Sequence, residues 1–288
     1  MNERTLLGRK AMRGALDVRK RAGSSFNDPV CVYDIAEQLG VSVWFQGGGS
    51  FGGMYSKTAN AILVPSLRPA PRQAYTCAHE IGHWYYDHGS KLDAYDESYS
   101  CDSNDEEELL ADLFAGHLLM PSGAVTLAFK TRGLTPNTCS GIDFFRVTSQ
   151  LGVGYTTLLN HMLWTQQSLS RANFDRLSRH TPKSLRSTLL GSMAKDPGHL
   201  VMTDEQWNSV PIDMQVGQAA LLPLNVSPQG SSVEVIKEVP EGVVVCAVAP
   251  GISKAENNTG SWASFIRVSR TDFQGRSLYR HLEEAEDE

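Results

Sequence analysis

The stretch RQAYTCAHEIGHW at residues 72–84, together with EEELLADLFAGHLLMP at residues 106–121, decides the fold. We expect both stretches to be helices, because prolines precede the first, a glycine follows it closely and a proline ends the second. His79 and His83 are four residues apart, so their imidazoles leave the same face of the first helix, one turn from each other. That spacing lets two ring nitrogens reach a single metal ion.

The residue after the first histidine, Glu80, is placed to take a proton from a water that a zinc ion would activate. Such a site needs a third protein ligand and keeps one coordination position open for the water. Two further histidines fail on geometry. His88 is nine residues from His79 and would lie on roughly the opposite face of a continued helix. His117 is nine residues beyond Glu108 on the second helix and is turned away from it.

A pair of carboxylates on the second helix completes the predicted site. Glu108 and Asp112 are four residues apart, and small alanines beside them permit close approach to the first helix. We predict that Glu108 is the third ligand and that Asp112 accepts the other ring N–H of His79, which fixes its tautomer. Glu106 and Glu107 compete for the ligand position but point off the Asp112 face. One Zn²⁺ per chain bound by two histidines and a glutamate is the gluzincin arrangement, although Mn²⁺ or another divalent ion could load the same ligands.

Two tyrosines are candidates to hold the oxyanion of a transition state. Tyr75 precedes His79 by four residues and Tyr86 follows His83 by three, so both lie near the face that carries the histidines. The alternative for either ring is packing in the core, and this is the simpler interpretation. The role of transition-state partner therefore remains one of two open interpretations for each tyrosine.

The composition is that of an ordinary globular protein, with 41% hydrophobic and 20% charged residues and a net charge of −6. The charge is uneven: residues 1–22 and 165–195 are basic, whereas residues 87–112 are acidic. The five cysteines form no CxxC pair, which favours reduced thiols in a cytosol over a disulfide scaffold. No apolar run approaches the ~20 residues needed to cross a bilayer, and no apolar signal core follows the N-terminus. We therefore expect a cytoplasmic protein that does not use a membrane.

The length of 288 residues exceeds what one compact core usually needs. We predict an α+β fold in three parts. Residues 1–125 form a gluzincin-like domain with a small sheet and the HExxH helix, and residues 126–195 form a helical segment that resembles a helix-turn-helix. Residues 196–288 are rich in short β-branched runs, which predicts a β-rich regulatory or recruitment domain with an acidic tail.

The strand ILVP at residues 62–65 and the two helical stretches resemble the ImmA/IrrE family of bacterial metallopeptidases. The resemblance is specific over about residues 55–121. Asp112 stands where the family commonly has Asn, and Gly116 and His117 replace commoner Ala and Glu. Family members typically cleave helix-turn-helix transcriptional repressors. The resemblance thus implies a zinc endopeptidase with a narrow protein substrate, acting in stress, prophage or mobile-element regulation.

Some interpretations stay open at this point. The strand around Ala61–Val64 could present an edge to which the substrate adds as a further strand, or could be internal. Residues 144–163 resemble a helix-turn-helix and precede a basic segment, as phosphate contacts would require. Because Tyr155–Leu163 carries no Lys or Arg, we favour a helical pair that packs on the first domain or docks the substrate. The alternative functions are a DNA-binding regulator with a subsidiary or vestigial peptidase site, and a phage-defence or toxin–antitoxin protease.

Overall fold

The computed structural model describes residues 3–47, 51–89, 91–94, 105–191 and 198–282. The helices are α1 (Glu3–Arg21), α2 (Val32–Gln38), α3 (Ala70–Tyr86), α4 (Glu106–Leu119), α5 (Ser122–Lys130), α6 (Gly141–Leu151), α7 (Tyr155–Asn160), α8 (Arg171–Leu177) and α9 (Pro182–Leu190). The strands are β1 (Ser42–Gln46), β2 (Phe51–Ser56), β3 (Ala61–Pro65), β4 (Lys91–Ala94), β5 (Leu200–Met202), β6 (Ile212–Gln215), β7 (Ala219–Leu222), β8 (Val226–Gln229), β9 (Val233–Val239), β10 (Gly242–Ala247), β11 (Gly251–Asn257), β12 (Ala263–Ser269) and β13 (Gly275–Arg276). The predicted α+β class is confirmed.

One sheet lies against α3, with its strands in the order β13-β1-β3-β2-β4. β1 and β3 are parallel, and the other neighbours are antiparallel. β3 is hydrogen-bonded to β1 on one side and to β2 on the other, so the edge role considered for Ala61–Val64 is wrong. Its sequence, AILVP, is apolar throughout and largely buried, as an internal strand requires. On the β2 side, the edge strand of this sheet is β4.

Small residues set the contact between α3 and α4. A Cβ added at Gly82 of α3 would lie 3.1 Å from the Cα of Ala111 on α4. Ala111 and Ala115 are both fully buried. The two backbones therefore approach closely at this point, because Gly82 has no side chain and faces the small Ala111. On its other side, α4 packs against α1, which buries Ala11 and Ala15.

The helical pair α6–α7 joins the same hydrophobic core as α3 and α4. α6 begins with a capping box between Ser140 and Asp143 and ends at Gly152, whose φ of 66° suits glycine. α7 buries Tyr155 and Leu158 on the side that faces this core. The pair thus shares a core with the N-terminal helices, and DNA binding, the less favoured alternative, stays open.

The C-terminal strands form two four-stranded sheets, ordered β5-β7-β10-β9 and β6-β12-β11-β8. They enclose a second hydrophobic cluster that includes Trp207 and Trp262. β13 departs from this part and pairs with β1 of the first sheet, and Arg276 forms an ion pair of 2.7 Å with Glu37. The division at residues 125 and 195 stays a prediction, and the acidic tail at 283–288 lies outside the described residues.

Two features bear on where the protein resides. The stretch Glu106–Lys130, which comprises α4 and α5, is long and apolar enough to cross a membrane by length and composition. The sequence was expected to contain no apolar run of this length. However, 61% of the most apolar part of the stretch is buried inside the protein, as for a core helix. Cys101 lies outside the described residues, and the other cysteines, Cys31, Cys77, Cys139 and Cys246, are free thiols.

Candidate metal centre

Three side chains from α3 and α4 converge on one point. The Nε2 atoms of His79 and His83 are 2.9 Å apart. The Oε2 atom of Glu108 lies 3.2 Å from the Nε2 of His79 and 3.5 Å from that of His83. His79, His83 and Glu108 are therefore close enough to hold one metal ion, with all three ligand atoms within 4.8 Å of one another.

The spacing of these atoms fits a tetrahedral zinc site. Ligands at about 2.0–2.1 Å from Zn²⁺ lie roughly 3.3 Å from one another in a tetrahedron, close to the three separations observed. Two imidazoles and one carboxylate are also a ligand set that zinc commonly takes in catalytic sites. The structure therefore brings together the three residues that the sequence analysis selected as ligands, in a geometry that suits the ion.

The electrostatics of the cluster favour positive charge at its centre. Burial alone would lower the pKa of His79, but hydrogen bonds with Asp112 and Glu108 outweigh it and hold that pKa well above its usual value. Hydrogen bonds with His79 and His83 hold the pKa of the Glu108 carboxyl well below its usual range. A cation bound by the same atoms would replace the proton between His79 and Glu108.

Each histidine of the cluster has a partner at its other ring nitrogen. The Nδ1 of His79 lies 2.9 Å from Oδ1 of Asp112, so Nδ1–H donates to the carboxylate and Nε2 is the ring nitrogen that faces the cluster. The Nδ1 of His83 lies 3.0 Å from the Nδ1 of His88. With Nε2 of His83 reserved for the ion, its Nδ1–H donates to His88. Asp112 and His88 therefore fix the orientation of the two imidazole rings through their Nδ1 atoms.

His88 is one of the two histidines that were rejected as metal ligands on their spacing. The rejection assumed a helix that continues to His88, whereas α3 ends at Tyr86 and Asp87 adopts a left-handed conformation with φ of 56°. The chain then turns back, and the backbone N–H of His88 donates to the carbonyl of His83. His88 thus lies beside His83 instead of on the opposite face. The available signal was the glycine that marked the end of the helix.

Glu80 is fully buried and lies against β2. A Cβ added at Gly53 of that strand would lie 2.5 Å from Oε1 of Glu80 and 2.5 Å from Cγ2 of Thr76. Glycine at position 53 is therefore what gives the carboxylate its place between the strand and α3. Gly53 was not among the predicted site residues; the available signal was a glycine inside a strand, which often marks a close approach of backbone to a neighbouring group.

The two tyrosines proposed as transition-state partners bind backbone carbonyls. The hydroxyl of Tyr75 donates to the carbonyl of Asp112 at 3.0 Å, and that of Tyr86 donates to the carbonyl of Lys10 on α1 at 2.9 Å. Either hydroxyl would have to exchange this bond for one to a substrate oxyanion. Both residues also pack against the core, so the oxyanion role stays a prediction.

Packing explains Gly116, which stands where Ala is commoner in the resembled family. A Cβ there would lie 2.9 Å from Nδ1 of His161. The ring of His161 is buried at this position, and its Nε2–H donates to the carbonyl of Met120 at 3.0 Å. His117 packs edge-on against His161, with ring centroids 5.3 Å apart. Both substitutions thus serve the contact between the end of α4 and the turn after α7.

Residues 36–161 match the model of the peptidase M78 family, described as the IrrE N-terminal-like domain. The match begins in α2 and reaches the turn that follows α7, so it includes the ligand cluster and the α6–α7 pair. It confirms the resemblance drawn from the sequence. No curated protein matches the chain.

Proposed function

Residues 36–161 belong to the IrrE N-terminal-like family of M78 peptidases, and on this basis we propose that the chain is a zinc-dependent endopeptidase. The observation that supports it best is the convergence of His79, His83 and Glu108 within 4.8 Å, next to a fully buried Glu80. A peptidase needs these four groups, three to hold the ion and one to move protons.

The chain's own residues divide the chemistry between them. When bound, zinc would lower the pKa of a water and polarise the scissile carbonyl. His79 and His83 would hold it through Nε2, since their Nδ1 atoms face Asp112 and His88. Glu80 accepts the proton of the attacking water and returns it to the nitrogen of the leaving amine.

The substrate that we propose is a helix-turn-helix transcriptional repressor in the cytoplasm. This rests on the resemblance to ImmA/IrrE proteins. The alternative, a DNA-binding regulator with a subsidiary site, is less well supported. α7 would be its recognition helix, but it buries Tyr155, Leu158 and Leu159 and carries no Lys or Arg. A phage-defence or toxin–antitoxin role would use the same chemistry on a different protein.

Glu80→Gln tests the proposal, because the amide keeps the shape of the side chain but cannot take the proton. The experiment co-expresses the chain with the repressor encoded nearest to its gene and follows the repressor by immunoblot. We expect cleavage by the wild type, a loss of about 10²–10⁴-fold in rate with Glu80→Gln, and unchanged zinc content. Glu106→Gln is the matched control, since this exposed residue of α4 lies outside the cluster. Full cleavage by Glu80→Gln would contradict the peptidase proposal.

A further inference from the structure

A groove between α1 and the end of α3 plays no part in the chemistry proposed above. Its volume is about 440 Å³. We call it the basic groove, and it is lined by Leu6, Arg9, Lys10, Arg13, Tyr85 and Tyr86.

The α1 side of the basic groove is a single helical stripe. Leu6, Arg9, Lys10 and Arg13 follow the spacing i, i+3, i+4, i+7, which places them on one face. All four side chains are exposed. The groove therefore offers three cationic groups and one apolar side chain to the same ligand.

Glycine 14 brings the tyrosines against this stripe. A Cβ added at Gly14 would lie 2.3 Å from the hydroxyl oxygen of Tyr86 and 2.8 Å from Cε1 of Tyr85. Without that Cβ, the ring of Tyr86 reaches α1, where Lys10 places its ammonium 5.1 Å from the ring centroid. The two aromatic rings form an apolar wall opposite the cations.

The cations of the basic groove are available to an anionic partner. In the described parts of the chain, no carboxylate forms an ion pair with Arg9, Lys10 or Arg13. The next carboxylate along α1, Asp17, is 2.6 Å from the guanidinium of Arg21 and accepts a hydrogen bond of 3.0 Å from the Tyr85 hydroxyl. The groove thus keeps a local positive charge in a chain whose net charge is −6.

The basic groove lies close to the metal centre. The ring of Tyr86 stacks on His88, with centroids 5.7 Å apart and an angle of 21° between the planes. His88 in turn contacts the Nδ1 of His83. Two side chains, Tyr86 and His88, therefore connect the groove to the cluster.

We propose that the basic groove binds an acidic segment of the protein substrate and so recruits it to the peptidase site; this inference rests on the proposed function. Carboxylates of the segment contact Arg9, Lys10 and Arg13, and an apolar side chain packs against Leu6 and Tyr86. Such complementarity supplies specificity and faster encounter for a partner that the overall negative charge would repel. A nucleic acid is the poorer occupant, because one short stripe with an aromatic wall offers few phosphate contacts.

Binding is measured on the zinc-loaded full chain carrying Glu80→Gln, so that no cleavage occurs. The probes are two fluorescein-labelled peptides of equal length, one built from repeats of Glu-Glu-Leu-Glu-Glu-Phe and one with Lys in place of Glu, and a short DNA duplex. Fluorescence anisotropy gives Kd at low and at physiological salt. We expect the acidic peptide to bind at least tenfold more tightly than the other two probes, and binding to weaken as salt rises.

Charge variants locate the binding. Arg9→Glu, Lys10→Glu and Arg13→Glu together should weaken binding of the acidic peptide at least tenfold, and the corresponding Gln variants should weaken it less. The matched control reverses three exposed cations of the α8–α9 region, Arg171, Arg179 and Lys183, and should change Kd less than twofold.

Equal affinity of the triple Glu variant and of the unmutated groove for the acidic peptide would overturn the inference. So would tighter binding of DNA than of the acidic peptide, if the triple Glu variant abolishes the DNA binding. Because the test uses an inactive chain, its outcome is separate from that of the peptidase test. If the acidic peptide binds but the active chain cleaves no repressor, the groove remains a docking surface and only the peptidase proposal is contradicted.

Discussion

Removal of His88 should weaken zinc binding although His88 is not a ligand. With Nε2 of His83 bound to the ion, the ring must carry its proton on Nδ1, which faces the Nδ1 of His88 at 3.0 Å. In the metal-free chain the proton can occupy either nitrogen of His83. His88→Ala therefore penalises the zinc-bound state more than the metal-free one.

The magnitude follows from the burial of His83, which is completely inaccessible to solvent. A buried donor that loses its acceptor costs about 1–3 kcal/mol. Part of this cost falls on the metal-free state as well, so the expected loss of zinc affinity is about 10- to 100-fold, the usual range for such outer partners. Gln at position 88 offers a carbonyl acceptor and should recover part of the loss.

The assay is competition for zinc with a chromophoric chelator, followed at constant pH for wild type, His88→Ala and His88→Gln. His180→Ala is the control, since His180 is exposed and outside the cluster. Thermal unfolding of the metal-free variants checks that the fold is intact. Zinc affinity of His88→Ala within twofold of wild type would refute the argument that His88 orients His83.

Two further predictions concern the buried carboxylate and the buried histidines. Gly53→Ala should push the Glu80 carboxylate by roughly 1 Å and lower the cleavage rate on the order of 10²-fold while zinc stays bound. The control is Gly8→Ala, whose Cβ would meet nothing within 4 Å and which should leave the rate unchanged. Equal cleavage rates for the two variants would contradict the role of Gly53. Burial lowers the pKa of His161 to about 3 and that of His281 to about 4. Above pH ~6.5 both are neutral in either state, but as pH falls towards 4 only the unfolded chain takes up the protons, so stability should drop by about 3 kcal/mol per histidine. Urea unfolding from pH 7 to 4 measures this, and the drop should be smaller in His161→Gln; an identical drop would show that His161 is not responsible.

The parts of the site that follow from local spacing could be predicted from the sequence. His79 and His83 on one helix, and Glu108 and Asp112 on the other, are fixed by the 3.6-residue period once the two helices are recognised. The meeting of the two helices was suggested by small residues, and the structure adds Gly82 as their contact point.

The parts that depend on where an element ends, or on distant contacts, were missed. The position of His88 required knowing that Asp87, directly after the end of α3, turns the chain back. Gly53 acts across the space between a strand and a helix, which periodicity does not encode. β13, a two-residue strand that pairs with β1, is too short to leave a pattern in the sequence.

The most direct test of the account is the metal content of the chain purified without added metal, by elemental analysis of wild type, Glu108→Ala and the control Glu106→Ala. The account predicts about one zinc per chain in wild type and in Glu106→Ala, and little in Glu108→Ala. Absence of metal from the wild type even after zinc is offered, or undiminished zinc in Glu108→Ala, would contradict the assignment of the His79, His83 and Glu108 site.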